Sequence, residues 1–180
     1  MSPCNQTLNY LANELQLEYD KGGIMASRGN VNQNLLNAWN TIPYFSQDYP
    51  KSLDNSWCHD KFTSIATTQY GSAQNRLRTT VEFVTQQITN DIQKLDILRD
   101  YKQLFVTGGG AFNTYLIEQL QDKLESINIE VIIPDKETIA FKEAILMALM
   151  GYLRIMNIPN TIPSVTGATN PTVGGSLYTC

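Results

Sequence analysis

The sequence predicts an α/β fold, rich in helix and carrying only a small sheet. The stretch Leu104 to Asn113 reads as a short apolar strand that stops at Gly108, Gly109 and Gly110, and a helical pattern follows at Tyr115, Leu116, Leu120 and Leu124. A second short strand, Glu130-Val131-Ile132-Ile133, is closed by Pro134-Asp135. Strand, helix and strand in that order call for a parallel pair joined by a right-handed crossover. Long helical patterns at 72–95 and 136–156 flank this unit and supply most of the remaining mass.

The chain has 180 residues, of which 42% are hydrophobic and 17% charged, the balance of a folded globular protein. That length predicts one domain spanning residues 1–180, with a real core. The net charge of -4 argues against a nucleic-acid partner, which demands a basic face. The longest apolar run, Ala144 to Leu153, is too short to span a bilayer and ends at Arg154. The opening Met-Ser-Pro-Cys-Asn-Gln has neither the basic nor the apolar run of a signal peptide. Cys4, Cys58 and Cys180 are odd in number, far apart and without metal spacing, which predicts free thiols in a reducing cytoplasm.

In chain order, Asn5 to Leu17 places Leu8, Leu11, Ala12 and Leu15 on one helical face. Asp20 and the Gly22-Gly23 pair break the pattern into a turn. Asn30 is placed to cap a helix whose apolar face is Leu35, Leu36, Ala38 and Trp39, ending before Pro43. Tyr44 to Gly71 reads as an ordered but irregular loop with a short helix near Phe62. The helix that follows is capped by Ser72. Its buried stripe is Leu77, Val81, Val84, Ile88 and Ile92, and Arg76, Arg78, Glu82, Gln86 and Asp91 form a solvated face. The helix from Lys136 to Met156 is apolar nearly all round between Ala144 and Leu153, which predicts burial on most faces. The tail, rich in Pro, Gly, Thr and Asn, is extended chain tacked down by Val165 and Val173. Gly167 and Gly174-Gly175 mark close packing or a ligand-lining loop.

Three places invite chemistry. The glycine turn before a helix is a seat for a phosphate or nucleotide, since backbone without side chains approaches closely and helix N-termini favour anions. The spelling Gly-x-Gly-x-x-Asn departs from the dinucleotide-binding Gly-x-Gly-x-x-Gly, which weighs against a Rossmann domain. His59, between Cys58 and Asp60, is the single histidine. Neighbours in sequence point different ways, so it reads as structural or surface rather than as a ligand, and no metal site is expected. Glu143, at the mouth of the apolar helix, is either a solvent-edge carboxylate paired with Lys142 or a substrate-binding group.

Several separated pieces resemble one family in order. Val106 to Asn113 is similar to the Cys-Gly-Gly-Gly-Ala-His-Asn segment of anhydro-N-acetylmuramic acid kinases. Lys142 to Ala144 resembles that family's Glu-Ala-x-Ala-Phe-Ala helix, and Asn160 to Ala168 its Asn-Leu-Pro-x-Val-Thr-Gly-Ala. Tyr19-Asp20 through Gly29 resembles Tyr-Asp-x-x-Gly-x-x-Ala-x-x-Gly, and Pro50-Lys51-Ser52 the start of Pro-Lys-Ser-Thr-Gly-Arg-Glu. Ser2 to Asn5 falls on the end of a phosphate-side Asp-Thr-Gly-Pro-Gly-Asn motif. Two departures stand out: Phe112 replaces the His of the glycine motif, and Asp54-Asn55-Ser56 or nearby residues stand in the region of Gly-Arg-Glu.

The resemblance implies the C-terminal lobe of an actin-like, ribonuclease H-like sugar kinase, with ATP in a cleft between two lobes and Mg2+ accompanying it. It implies nucleotide binding by Gly108, Gly109, Gly110, Ala111 and Asn113, and sugar binding by Glu143. The family converts 1,6-anhydro-N-acetylmuramic acid to its 6-phosphate during peptidoglycan recycling. The match begins partway along the family pattern. The N-terminal lobe, with its phosphate loop and catalytic aspartate base, is therefore expected outside this chain, which alone is expected to be inactive. A separately encoded first lobe or a homodimer partner is one way to complete it. A solitary, non-catalytic binding module is the competing expectation.

Overall fold

The computed structural model describes residues 3–48, 51–94 and 102–178. Ser2, Pro50 and Cys180, read above, lie outside the described residues, as does the stretch 95–101. The chain divides into two units, Met1–Pro134 and Asp135–Cys180.

The first unit opens with α1 (Asn5–Asn13), whose Leu8, Leu11 and Ala12 are buried as their spacing predicts. A tight turn at Lys21–Gly23 leads into the short α2 (Ile24–Ser27). The next helix, α3 (Gln33–Asn40), is capped by Asn32 and not by Asn30: the Asn32 side chain accepts from the Leu35 amide at 3.0 Å. Asn30 instead has its backbone N–H bound to the Asn75 side chain. The irregular stretch holds α4 (Asn55–Trp57), which runs into one wide turn, Cys58–Phe62, at the place where a short helix was expected. Ser72 caps α5 (Ala73–Gln93) as predicted, accepting from the Asn75 amide at 3.2 Å.

The core forms where α1, α3 and α5 meet that wide turn. Trp39 stacks on Phe62 with ring centroids 4.3 Å apart, and Phe83 and Phe45 close the aromatic cluster. The indole N–H of Trp39 donates to the Phe62 carbonyl at 3.0 Å, which satisfies its one polar atom.

The sheet is a parallel pair, β1 (Lys102–Phe105) and β2 (Ile129–Ile132), in register Lys102 with Ile129 through Phe105 with Ile132. Between them lies α6 (Thr114–Glu125), so strand, helix and strand occur in the expected order. Leu120 and Leu124 of α6 pack with Ile129, Leu104 and Val131 into a smaller second core.

The charged face of α5 is not a solvated face. Arg76 is almost completely buried and grips Glu14 with two hydrogen bonds, at 2.8 and 2.6 Å. It also donates to the carbonyls of Ala66 and Gly71, and so ties three segments to one guanidinium. Arg78, Glu82 and Lys123 form a half-buried ionic link between α5 and α6, with Lys123 2.8 Å from Glu82. Burial raises the Glu82 pKa, but hydrogen bonds from Lys123 and Gln86 and the charges of Lys123 and Arg78 outweigh it and leave the value lowered. Helical periodicity misassigned these residues because their partners are distant in sequence.

The second unit is built on α7 (Lys136–Ile155), capped by Asp135, which accepts from the Thr138 amide at 2.9 Å. Its apolar stretch is exposed, contrary to the expectation of burial: Ile145, Met147, Leu149 and Tyr152 each keep half or more of their surface in water. Composition revealed an apolar helix but not what covers it, and the short α8 (Pro163–Thr166) and the tail do not. Of the two valines expected to tack the tail down, Val173 is half-buried and Val165 is exposed, and polar bonds hold the rest. Asn160 binds the Met150 and Gly174 carbonyls and the Gly174 amide, and Arg154 binds the Gly175 carbonyl. Val165 is 80% exposed. Among the described residues no helix is long and apolar enough to cross a membrane.

Candidate functional site

Three segments of the first unit converge on a cavity of about 510 Å3, a size suited to a small-molecule ligand. The first is the opening turn of α1, which contributes Asn5, Leu8 and Asn9. The second is the turn Tyr19 to Gly22, and the third is the glycine segment through Gly109, Phe112 and Asn113.

Local chemistry explains each wall. Asp20 is buried, and its two carboxylate oxygens accept from the amides of Met25 and Ala26 at 2.8 and 2.9 Å. The carboxylate thereby caps the start of α2 and fixes the turn that carries Tyr19 and Lys21. Gly23, with φ +74, lets the chain turn left-handed and press against Asn113. A Cβ at Gly23 would meet the Asn113 side-chain oxygen and come within 2.6 Å of the Tyr115 Cβ. Asn113 is buried and caps α6, its oxygen accepting from the Leu116 amide at 3.0 Å. One asparagine thus ends the glycine segment, starts the helix, backs the neighbouring turn and lines the cavity.

The glycine segment does not pass directly from strand to helix. Gly108 takes φ +78, and Gly109–Phe112 then form one tight helical turn before α6 begins at Thr114. Asn5 lies over this turn, with its side-chain nitrogen 2.7 Å from where a Gly109 Cβ would stand. A side chain at Gly109 would displace Asn5, so the glycine lets Asn5 of α1 pack against this turn beside the cavity.

Of the five residues expected at a nucleotide, Gly109 and Asn113 line the cavity. Gly108 and Gly110 flank the lining and Ala111 packs inward, buried. Glu143 lies on α7 in the second unit, exposed, with its carboxylate 3.2 Å from Lys142. The hydrogen bond from Lys142 holds its pKa below the usual glutamate value. His59 is exposed and bonds only its neighbour Asp60 among the hydrogen bonds described, at 2.9 Å, with its ring edge-on to Tyr10. Among the described residues no group of three or more His, Cys, Asp or Glu is placed to hold a metal ion. Burial pushes the Cys4 thiol, beside Asn5, up to about 11, which makes it a poor nucleophile.

Sequence reading missed Asn9, Tyr19, Lys21 and Gly22 as parts of one site. Their type carries no signal, and only the fold brings them to the glycine turn. The signal available was the Gly22-Gly23 pair, which was read as a breaker and is the contact surface for Asn113.

The family model for anhydro-N-acetylmuramic acid kinase matches residues 2–180, and the chain belongs to that family. It is similar to the anhydro-N-acetylmuramic acid kinase of Synechococcus elongatus, at 32% identity over 98% of this chain and 48% of the relative. The kinase of Haemophilus influenzae is 30% identical over 90% of this chain and 45% of its own length. That of Synechocystis sp. is 33% identical over 89% and 43%. The chain therefore spans about half the length of the curated relatives it matches.

Proposed function

We propose that this chain supplies the nucleotide- and sugar-binding lobe of an ATP-dependent kinase acting on 1,6-anhydro-N-acetylmuramic acid, within an actin-like architecture spanning residues 1–180. The observation that carries the reading is the cavity in which the Gly109 turn, followed by the α6 cap Asn113, meets Asn5 and the Tyr19–Gly22 turn. Gly108, Gly109, Gly110, Ala111 and Asn113 would cradle the nucleotide, a reading supported by Gly109 and Asn113 lining the cavity just ahead of the start of α6. Glu143 would hold the sugar. Mg2+ would arrive on the nucleotide phosphates, since this ion is commonly held by few carboxylates and by phosphate oxygens.

In the reaction, water adds at the anhydro carbon, the 1,6-bridge opens, and the freed 6-oxygen takes the terminal phosphoryl group of ATP, releasing ADP. Positioning and charge neutralisation supply most of such catalysis, together with a base for the water. Among the described residues Asp20 is the one carboxylate lining the cavity, and both its oxygens are engaged by backbone N–H groups of α2. The base would come from a first lobe, encoded separately or supplied with the remainder of the kinase. Titration of this chain with ADP by calorimetry tests the binding part, with saturable binding expected. A coupled kinase assay, with and without a separately expressed first half from a relative, tests the rest. Turnover only in the mixture is expected. Robust turnover by the chain alone would overturn the division of labour, and no turnover in a mixture shown to associate would favour a solitary binding module.

A further inference from the structure

Lys21 sits in the cavity wall at the head of the Lys21–Gly23 turn, next to the residue that anchors that turn. It is exposed, and among the described residues no carboxylate pairs with it. The other charged side chain in the lining among the described residues, Asp20, faces the amides of Met25 and Ala26 instead. Among the described residues Lys21 is therefore the one cationic side chain lining the cavity, whose other walls are Leu8, the amides of Asn5, Asn9 and Asn113, the glycine backbone and the rings of Tyr19 and Phe112. Its backbone is held firmly from both sides, by the Asp20 cap before it and by the packing of Gly23 on Asn113 after it. A lysine carried on a braced turn, with no internal partner and an overall acidic protein around it, is free to meet an incoming anion.

We infer that Lys21 is the positioning residue that engages a phosphate of the bound nucleotide, so that the cavity discriminates phosphorylated nucleosides from the bare nucleoside. This rests on the nucleotide reading above and adds to it a residue with a separable role. The neutral amides, the glycine backbone and the two rings bind the nucleoside portion, and Lys21 adds a charge-dependent increment that scales with the phosphate.

Calorimetric titration of the chain with adenosine, AMP and ADP, at low and at raised salt, tests it. Wild type is expected to bind ADP more tightly than adenosine, with the preference shrinking as salt rises. Lys21→Ala is expected to lose about tenfold in ADP affinity and to bind adenosine as wild type does, while Lys21→Arg recovers most of the ADP affinity. The side chain is exposed, so both variants should fold, and their circular dichroism and urea midpoints should match wild type. If Lys21→Ala binds ADP as wild type does, or loses adenosine and ADP equally, the assignment of Lys21 is overturned while the nucleotide reading stands. If wild type binds neither ligand, the nucleotide reading itself falls and takes this one with it.

Discussion

Replacing Gly23 by alanine tests how the cavity is braced, and Gly22→Ala is its internal control. Both glycines have positive φ, +65 at Gly22 and +74 at Gly23, so both alanines carry the same left-handed penalty of about 1 kcal/mol. The reduced freedom of the unfolded chain offsets only part of that, about 0.4–1 kcal/mol, and does so equally in both variants. The surroundings then separate the two. A Cβ at Gly22 would meet only Thr114 Oγ1, at an ordinary 3.8 Å. A Cβ at Gly23 would collide with the Asn113 side chain and stand 2.6 Å from the Tyr115 Cβ, which cannot swing away without moving α6. Overpacking of that kind costs about 1–3 kcal/mol. Displacing Asn113 removes the cap on α6, at about 1 kcal/mol more. Gly22→Ala should therefore fall within about 1 kcal/mol of wild type, and Gly23→Ala about 2–4 kcal/mol below it. Urea unfolding followed by tryptophan fluorescence reads the difference, because Trp39 is buried in the first unit's core. ADP affinity should fall in Gly23→Ala. Equal stabilities for the two variants would refute the contact between the turn and the helix cap.

Arg76→Met should destabilise the chain by about 3 kcal/mol, since it strands the Ala66 and Gly71 carbonyls and the half-exposed Glu14 carboxylate; a urea midpoint equal to wild type would contradict the burial of that pair. Glu82→Gln should cost stability at neutral pH. Because the folded pKa of Glu82 is lowered, its contribution is present above its ordinary value of 4.5 and lost as pH falls through the folded value. The gap between variant and wild type should then close in acid, and a constant gap from neutral pH into acid would rule out the linkage. Leu149→Lys, on the exposed face of α7, should leave the stability of this chain within about 0.5 kcal/mol of wild type; a loss of several kcal/mol would restore the buried-helix expectation. Cys4 should react with iodoacetamide at mildly alkaline pH about a hundredfold more slowly than an ordinary thiol, as peptide mass spectrometry would show, given a thiol raised by burial to about 11.

Local signals carried the parts of the fold that are local. The cap Ser72 stands where its helix begins, though the cap of α3 is Asn32 rather than Asn30, and the parallel pair joined through α6 follows from two short apolar runs around one helical period. Arg76 escaped such reading because its partner Glu14 lies on a different helix end, and a charged residue on a helix defaults to water until a partner is known. The exposed stripe of α7 escaped it because an apolar period states a need for cover without naming the cover. At the candidate site, Gly109 and Asn113 were legible from the glycine turn and the family resemblance. Lys21 and Asn9 were not, since their place beside that turn exists only once α1, the Asp20 cap and α6 have packed together.

The shared use of Asn113 has a consequence for observation. Its side-chain oxygen holds the Leu116 amide, and the same residue lines the cavity. Fraying of the first turn of α6 and filling of the cavity therefore involve one residue, and a ligand in contact with Asn113 is expected to change the protection of that turn. The Leu116 amide becomes a built-in gauge: its hydrogen-exchange rate, read with and without a small molecule present, reports occupancy of the cavity from within the backbone, with no label attached to protein or ligand.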